Sequence, residues 1–159
     1  MGCGNHKLDD SDRLIRHCPK KFYDQGKVSA KSFWFTKREL KEDRPFLSFS
    51  WLEHICRLAN VPVDIEAAID RLEEYFPRDI KKDVEAWIIL SCDRVKTAIS
   101  KVPGTDPKVC LMPDDYNSSH VGVLGFEKHL HEDVASELGD EVRLEDVHPV
   151  TRTRDNPRR

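Results

Sequence analysis

Four large apolar residues in a row, Trp87-Ile88-Ile89-Leu90, lie within the segment Val84 to Leu90 and are bounded by charge. A continuous apolar run of this length suits a central strand covered on both faces. Any fold must therefore supply material above and below it. The longest uncharged apolar run, Ala86 to Cys92, is far too short to cross a bilayer. A chain of 159 residues is long enough for one domain with a real core, and 38% hydrophobic with 35% charged residues reads as a polar globular protein.

A second strand is expected over Arg44 to Trp51. Read with a period of two, it puts Leu47, Phe49 and Trp51 on one face and Phe46, Ser48 and Ser50 on the other. Pro45 fits a strand start. Hydroxyls in so aromatic a neighbourhood need partners if buried, so Ser48 and Ser50 are either bonded sheet residues or the lining of a pocket.

Taken in order, Asp12 to Cys18 reads as a first strand ended by Pro19, and Gly26 marks a turn. Phe33, Trp34 and Phe35 should cover part of the core. Leu52 to Ala59 reads helical. Asp64 is placed as N-cap of a helix with an apolar stripe of Ile65, Ala68, Ile69, Leu72 and Phe76, ended by Pro77. A short helix is expected over Asp93 to Ser100, then a turn at Pro103-Gly104 and a strand from Lys108 to Met112. The loop Pro113 to Ser119 leads into a strand, His120 to Gly125, whose glycines allow close approach. A helix from Phe126 is expected to stop at Gly139, with a last edge strand over Glu141 to Val147. The mixture predicts an α+β fold: a mixed, largely antiparallel sheet with helices packed mainly on one face. The expected organisation is a flexible N-terminus (1–11), one globular domain (12–150) and a basic flexible tail (151–159).

The net charge of −3 offers no general reason to bind nucleic acid or an anionic membrane. Arg152, Arg154, Arg158 and Arg159 are a local exception, read as a solvated tail or as an arm that touches phosphate or an acidic partner. Five scattered cysteines without a C-x-x-C pair read as free thiols in a reducing compartment, hence a cytoplasmic chain. No Cys and His spacing resembles a zinc site, and both glycine-rich phosphate loops are absent.

Five residues are the candidate site. Arg16 is expected as an always-charged anion clamp, and His17 beside it as acid, base or donor. Ser48 and Ser50 would hold a ligand's hydroxyl or amide groups. His120 follows a loop rich in hydroxyls and carboxylates (Asp114, Asp115, Tyr116, Ser118, Ser119) and would transfer protons with His17. The ordinary alternative for each is a satisfied strand residue.

Three pieces taken together, Arg16-His17-Cys18-Pro19, Gly26-Lys27-Val28-Ser29 with Phe33, and Leu47-Ser48 followed by His120-Val121-Gly122-Val123-Leu124-Gly125, resemble a set of small bacterial proteins with no established activity. The chain is also similar to ADP-ribosyltransferase-like folds, in which a first-strand Arg or His and a second-strand Ser-x-Ser form a dinucleotide pocket. Arg16 or His17 and Ser48-Phe49-Ser50 match those two positions. The third, a strand-end Glu, is not matched: Glu127 and Glu132 lie on a predicted helix, leaving His120 to stand in. This resemblance implies NAD as cofactor.

The expectation is thus a pocket for an anionic, nucleotide-like ligand in a transferase or hydrolase. The alternative is a non-catalytic protein-interaction subunit of a bacterial toxin–antitoxin or phage-defence system. Its partner would be encoded by a neighbouring gene and would dock on exposed residues among Trp34, Phe35, Trp51 and Tyr75.

Overall fold

The computed structural model describes residues 8–36, Glu39 and residues 46–150. Readings of the C-terminal arginines, of residues 1–7 and of Arg44 and Pro45 lie outside the described residues. Eight strands are described: β1 (Arg13–Pro19), β2 (Tyr23–Asp24), β3 (Lys27–Val28), β4 (Leu47–Trp51), β5 (Val84–Ser91), β6 (Lys108–Leu111), β7 (His120–Leu124) and β8 (Val147–Pro149). The helices are α1 (Leu52–Leu58), α2 (Ile65–Tyr75), α3 (Arg78–Asp83), α4 (Cys92–Ser100) and α5 (His131–Glu141). Six strands form one sheet in the order β6-β7-β4-β1-β5-β8, every neighbouring pair antiparallel. Helices pack against it, and the architecture is α+β. Among the described residues no helix is long and apolar enough to cross a membrane.

The apolar run lies in β5, and its alternation assigns the two layers. Ala86, Ile88 and Leu90 join Leu14, Leu47, Phe49, Trp51, Val121 and Val123 in the larger core, beneath α4 and α5. Trp87 and Ile89 point the other way, with Ile15, into a smaller cluster covered by α1 and α2. The heavier helical layer is thus on one face, and among the described residues the lighter one covers only part of the opposite face. Gln25 and Gly26, with φ of 48° and 87°, make the turn between β2 and β3. In α2 the Asp64 carboxylate accepts from the Ala67 N–H at 2.9 Å, so the helix starts where the sequence signal puts it.

The C-terminal quarter departs from the expected boundaries. A single 3-10 turn, Lys128–Leu130, precedes α5, which starts at His131 and runs through Gly139 to Glu141. Gly139 is a packing glycine rather than a helix stop: a Cβ there would lie 2.8 Å from the Ala30 Cβ and 2.9 Å from its Cα. The segment expected to be an edge strand instead turns at Leu144–Asp146, and β8 starts only at Val147. The reason is Asp146. Its carboxylate receives both Nη atoms of Arg94 at 2.7 Å and the Arg143 N–H at 2.7 Å, which fixes a turn. Arg94 also donates to Glu141 at 2.7 Å and so ties α4 to the end of α5. Helix α3, absent from the sequence reading, follows Pro77 directly.

Among the described cysteines three keep the expected free thiol and Cys110 does not. Cys18, Cys56 and Cys92 are buried free thiols, and burial pushes the Cys92 thiol up to about 12. Cys110 is disulfide-bonded. It lies on β6, an edge strand with a neighbour on one side only.

Gly139→Ala should lower the unfolding free energy by about 1–3 kcal/mol through overpacking, although the same change at an open helical position is stabilising by up to about 1 kcal/mol. Urea denaturation reads the sign, and Ala30→Gly in the same chain should recover most of the loss.

Candidate functional site

Strands β1 and β4 pair at only two positions, Leu14 with Trp51 and Ile15 with Ser50. Beyond Ile15 the ladder opens, and the backbone groups of Ser48 face the gap. One ion pair satisfies both. Arg16 donates through Nη1 to the Ser48 carbonyl at 2.8 Å, while the Ser48 N–H donates to Glu39 Oε2 at 2.5 Å. Arg16 and Glu39 are themselves 3.3 Å apart and almost fully buried. The remaining guanidinium contacts go to the carbonyls of Ser32 (2.7 Å) and Trp34 (2.9 Å). Glu39 is positioned by a capping box: its N–H donates to Thr36 Oγ1 at 3.2 Å, and its carboxylate accepts the Thr36 N–H at 2.7 Å. Burial pushes the Glu39 carboxyl up, but the Arg16 charge and the N–H groups of Thr36 and Ser48 outweigh it and hold it below its ordinary value.

The gap opens onto the lightly covered face of the sheet as a cavity of about 280 Å³. Arg16, His17, Ser48, Ser50 and His120 all line it. Ile15, Phe49, Phe76 and Tyr116 supply its apolar wall, with Thr36, Glu39 and Asn117 completing the lining. Register explains the convergence of distant residues: Ser50 sits across from Ile15 on one side and from His120 on the other.

Each polar group has a defined state. His17 stands edge-on to Phe76, with ring centroids 5.7 Å apart, and no described residue hydrogen-bonds its ring. Burial, reinforced by the neighbouring Arg16 charge and opposed by Glu39, takes its pKa down to about 4, so the ring is neutral near pH 7. His120 Nδ1 lies 2.7 Å from the Met112 carbonyl, which can only accept; Nδ1 therefore carries a proton, and in the neutral ring Nε2 is the acceptor. The Asp114 carboxylate lies 3.8 Å from the same Nδ1. Asn117 Nδ2 donates to Ser50 Oγ at 2.9 Å, which leaves the Ser50 hydroxyl proton available as a donor. Asn117 is fixed in turn by the Ser119 N–H on its Oδ1 at 3.0 Å. Gly122 on β7 makes room chiefly for Met112 Sδ, which a Cβ there would overlap, and next for Phe46, whose ring meets His120 edge-on at 5.9 Å.

Arg16 differs most from its expected role. All its donors face carbonyls or Glu39 and its charge is cancelled, so it is a structural strut in the wall rather than a clamp for an outside anion. Glu39, Thr36 and Asn117 were missed as site residues. The spacing Thr36-x-x-Glu39 is a capping-box signature that would have drawn attention to Glu39. Of the four aromatics considered for a docking patch, Phe35 and Trp51 are buried and Trp34 is the exposed one. Among the described residues no group of three or more His, Cys, Asp or Glu side chains is arranged to hold a metal ion. No family model, no curated protein and no solved structure matches the chain.

Removing one partner of the buried pair should be costly, because it strands the other. Glu39→Ala is expected to lose about 3–5 kcal/mol of stability, read from urea unfolding curves; a loss under about 1 kcal/mol would mean that the pair does not hold the gap. His17 sets a pH dependence. Unfolded, it binds a proton below its ordinary value of 6.5, whereas folded it does so only near 4. Its stabilising contribution is complete above about pH 6.5 and is lost as pH falls toward 4. His148, whose pKa burial also lowers, acts in the same direction. His17→Gln should flatten the stability–pH curve in that window relative to the parent chain.

Proposed function

We propose that this chain is a small-molecule-binding domain whose cavity receives the flat, uncharged heteroaromatic end of a nucleotide-like ligand. The observation that supports this most directly is the state of the wall. Among the described residues its one cation is cancelled by Glu39, and both histidine rings, when neutral, offer acceptors to the space: His17, which has no described hydrogen-bond partner, and His120 through Nε2. Ser50 offers a donor opposite them. Phe49, Phe76 and Tyr116 provide aromatic surface for stacking. A few convergent polar groups in a largely apolar hollow are the usual composition of a small-ligand site. A charged phosphate gains nothing inside this cavity, so the anionic part of the ligand would lie beyond it.

A transferase or hydrolase acting next to the bound ring would use His120 Nε2 as proton acceptor, oriented by the Met112 carbonyl. NAD is one compound with a ring of suitable size. In calorimetric titrations, adenine, nicotinamide or one of the common nucleosides is expected to bind the folded chain. Ser50→Ala and His120→Ala should each weaken binding about 2- to 10-fold, the range of one net hydrogen bond. Absence of binding by any of these compounds at millimolar concentration would overturn the reading.

A further inference from the structure

A second cavity, of about 340 Å³, adjoins the first: Arg16, His17 and Thr36 belong to the walls of both. Its other lining differs in chemistry. Lys21 and Lys31 enter it, with Asp83 from the end of α3 as its acidic residue. Neither lysine forms an ion pair with a described residue, and Arg16 is already neutralised by Glu39. Among the described residues the second cavity therefore carries two positive charges against one negative, whereas the first carries no uncompensated charge.

The local fold places these lysines. Lys21 lies in the 3-10 turn Lys20–Phe22 and Lys31 in the 3-10 turn Ala30–Phe33, at the two ends of the β2–β3 hairpin. The Ser29 N–H donates to the Phe22 carbonyl at 2.8 Å and holds the two turns together. Each ammonium sits over an aromatic ring, Lys21 at 5.0 Å from the Phe22 centroid and Lys31 at 5.2 Å from that of Trp34. A cation held over a ring is kept near one position while its outer face stays open to an anion.

We infer that this second cavity is the phosphate subsite of the same ligand, so that the chain recognises a nucleoside monophosphate with its base in the first cavity and its phosphoryl group between Lys21 and Lys31. The inference rests on the reading given under Proposed function. Two lysine contacts of ordinary surface strength make the phosphate worth about tenfold in affinity. The test compares adenosine, guanosine, cytidine and uridine with their 5′-monophosphates by isothermal titration, on the parent chain and on Lys21→Ala/Lys31→Ala. For the base that binds, the monophosphate should bind the parent about tenfold more tightly, and the advantage should shrink toward unity at 1 M salt. The double variant should lose the advantage and keep its affinity for the nucleoside. Equal affinity of nucleoside and monophosphate for the parent, or an advantage that survives in the double variant, overturns the subsite and leaves the base-binding cavity standing. Failure of all eight compounds to bind the parent overturns the subsite, and failure of adenine and nicotinamide as well overturns both.

Discussion

The buried pair of Arg16 and Glu39 replaces a piece of β-ladder. Where β1 and β4 separate, the N–H and carbonyl of Ser48 lose a strand partner, and an unpaired buried backbone group costs about as much as a lost hydrogen bond. A carboxylate takes the N–H and a guanidinium takes the carbonyl, and the two charges cancel at 3.3 Å. Neither charge alone would be tolerable at this depth. The sheet can therefore stay open at its centre without being frayed, and the cavity is a consequence of that opening.

The same device decides the chemistry of the space. A lone arginine at this position would have made an anion site; a paired one makes a neutral wall. Its residual field still acts on His17 by adding to the effect of burial, and so helps keep that ring uncharged. On the far side of the cavity, polar states are set by backbone rather than by charge. Met112 fixes the tautomer of His120, and the turn around Asn117 fixes which way Ser50 can donate. Net charge appears again only in the adjoining cavity, where the hairpin presents its two lysines.

Much of the architecture was legible in the chain. The β5 run required cover on both faces, the Leu47–Trp51 alternation put its serines opposite the larger core, and Asp64 marked its helix. These features depend on period and local capping, which neighbouring residues alone specify. Gly139 misled because a glycine that ends a helix and one that admits Ala30 look the same in sequence; only the packing partner tells them apart. Asp146 and Arg94, 52 residues apart, convert an expected strand into a turn through contacts that no local pattern records. At the site, residue types were readable but their states were not. Arg16 read as a free cation because its partner lies 23 residues away, beyond the reach of any local pattern.

What the amino-acid order determined by itself, then, was which faces are apolar, where most helices and strands start, and which side chains are able to do chemistry. Tertiary structure alone decided that β1 and β4 part after two pairs, that Glu39 fills the gap, and that His17, Ser50 and His120 share one hollow. The physical reason is range. Periodicity and caps act over a few residues along the chain, whereas charge cancellation, desolvation and tautomer choice depend on groups that folding alone brings into contact.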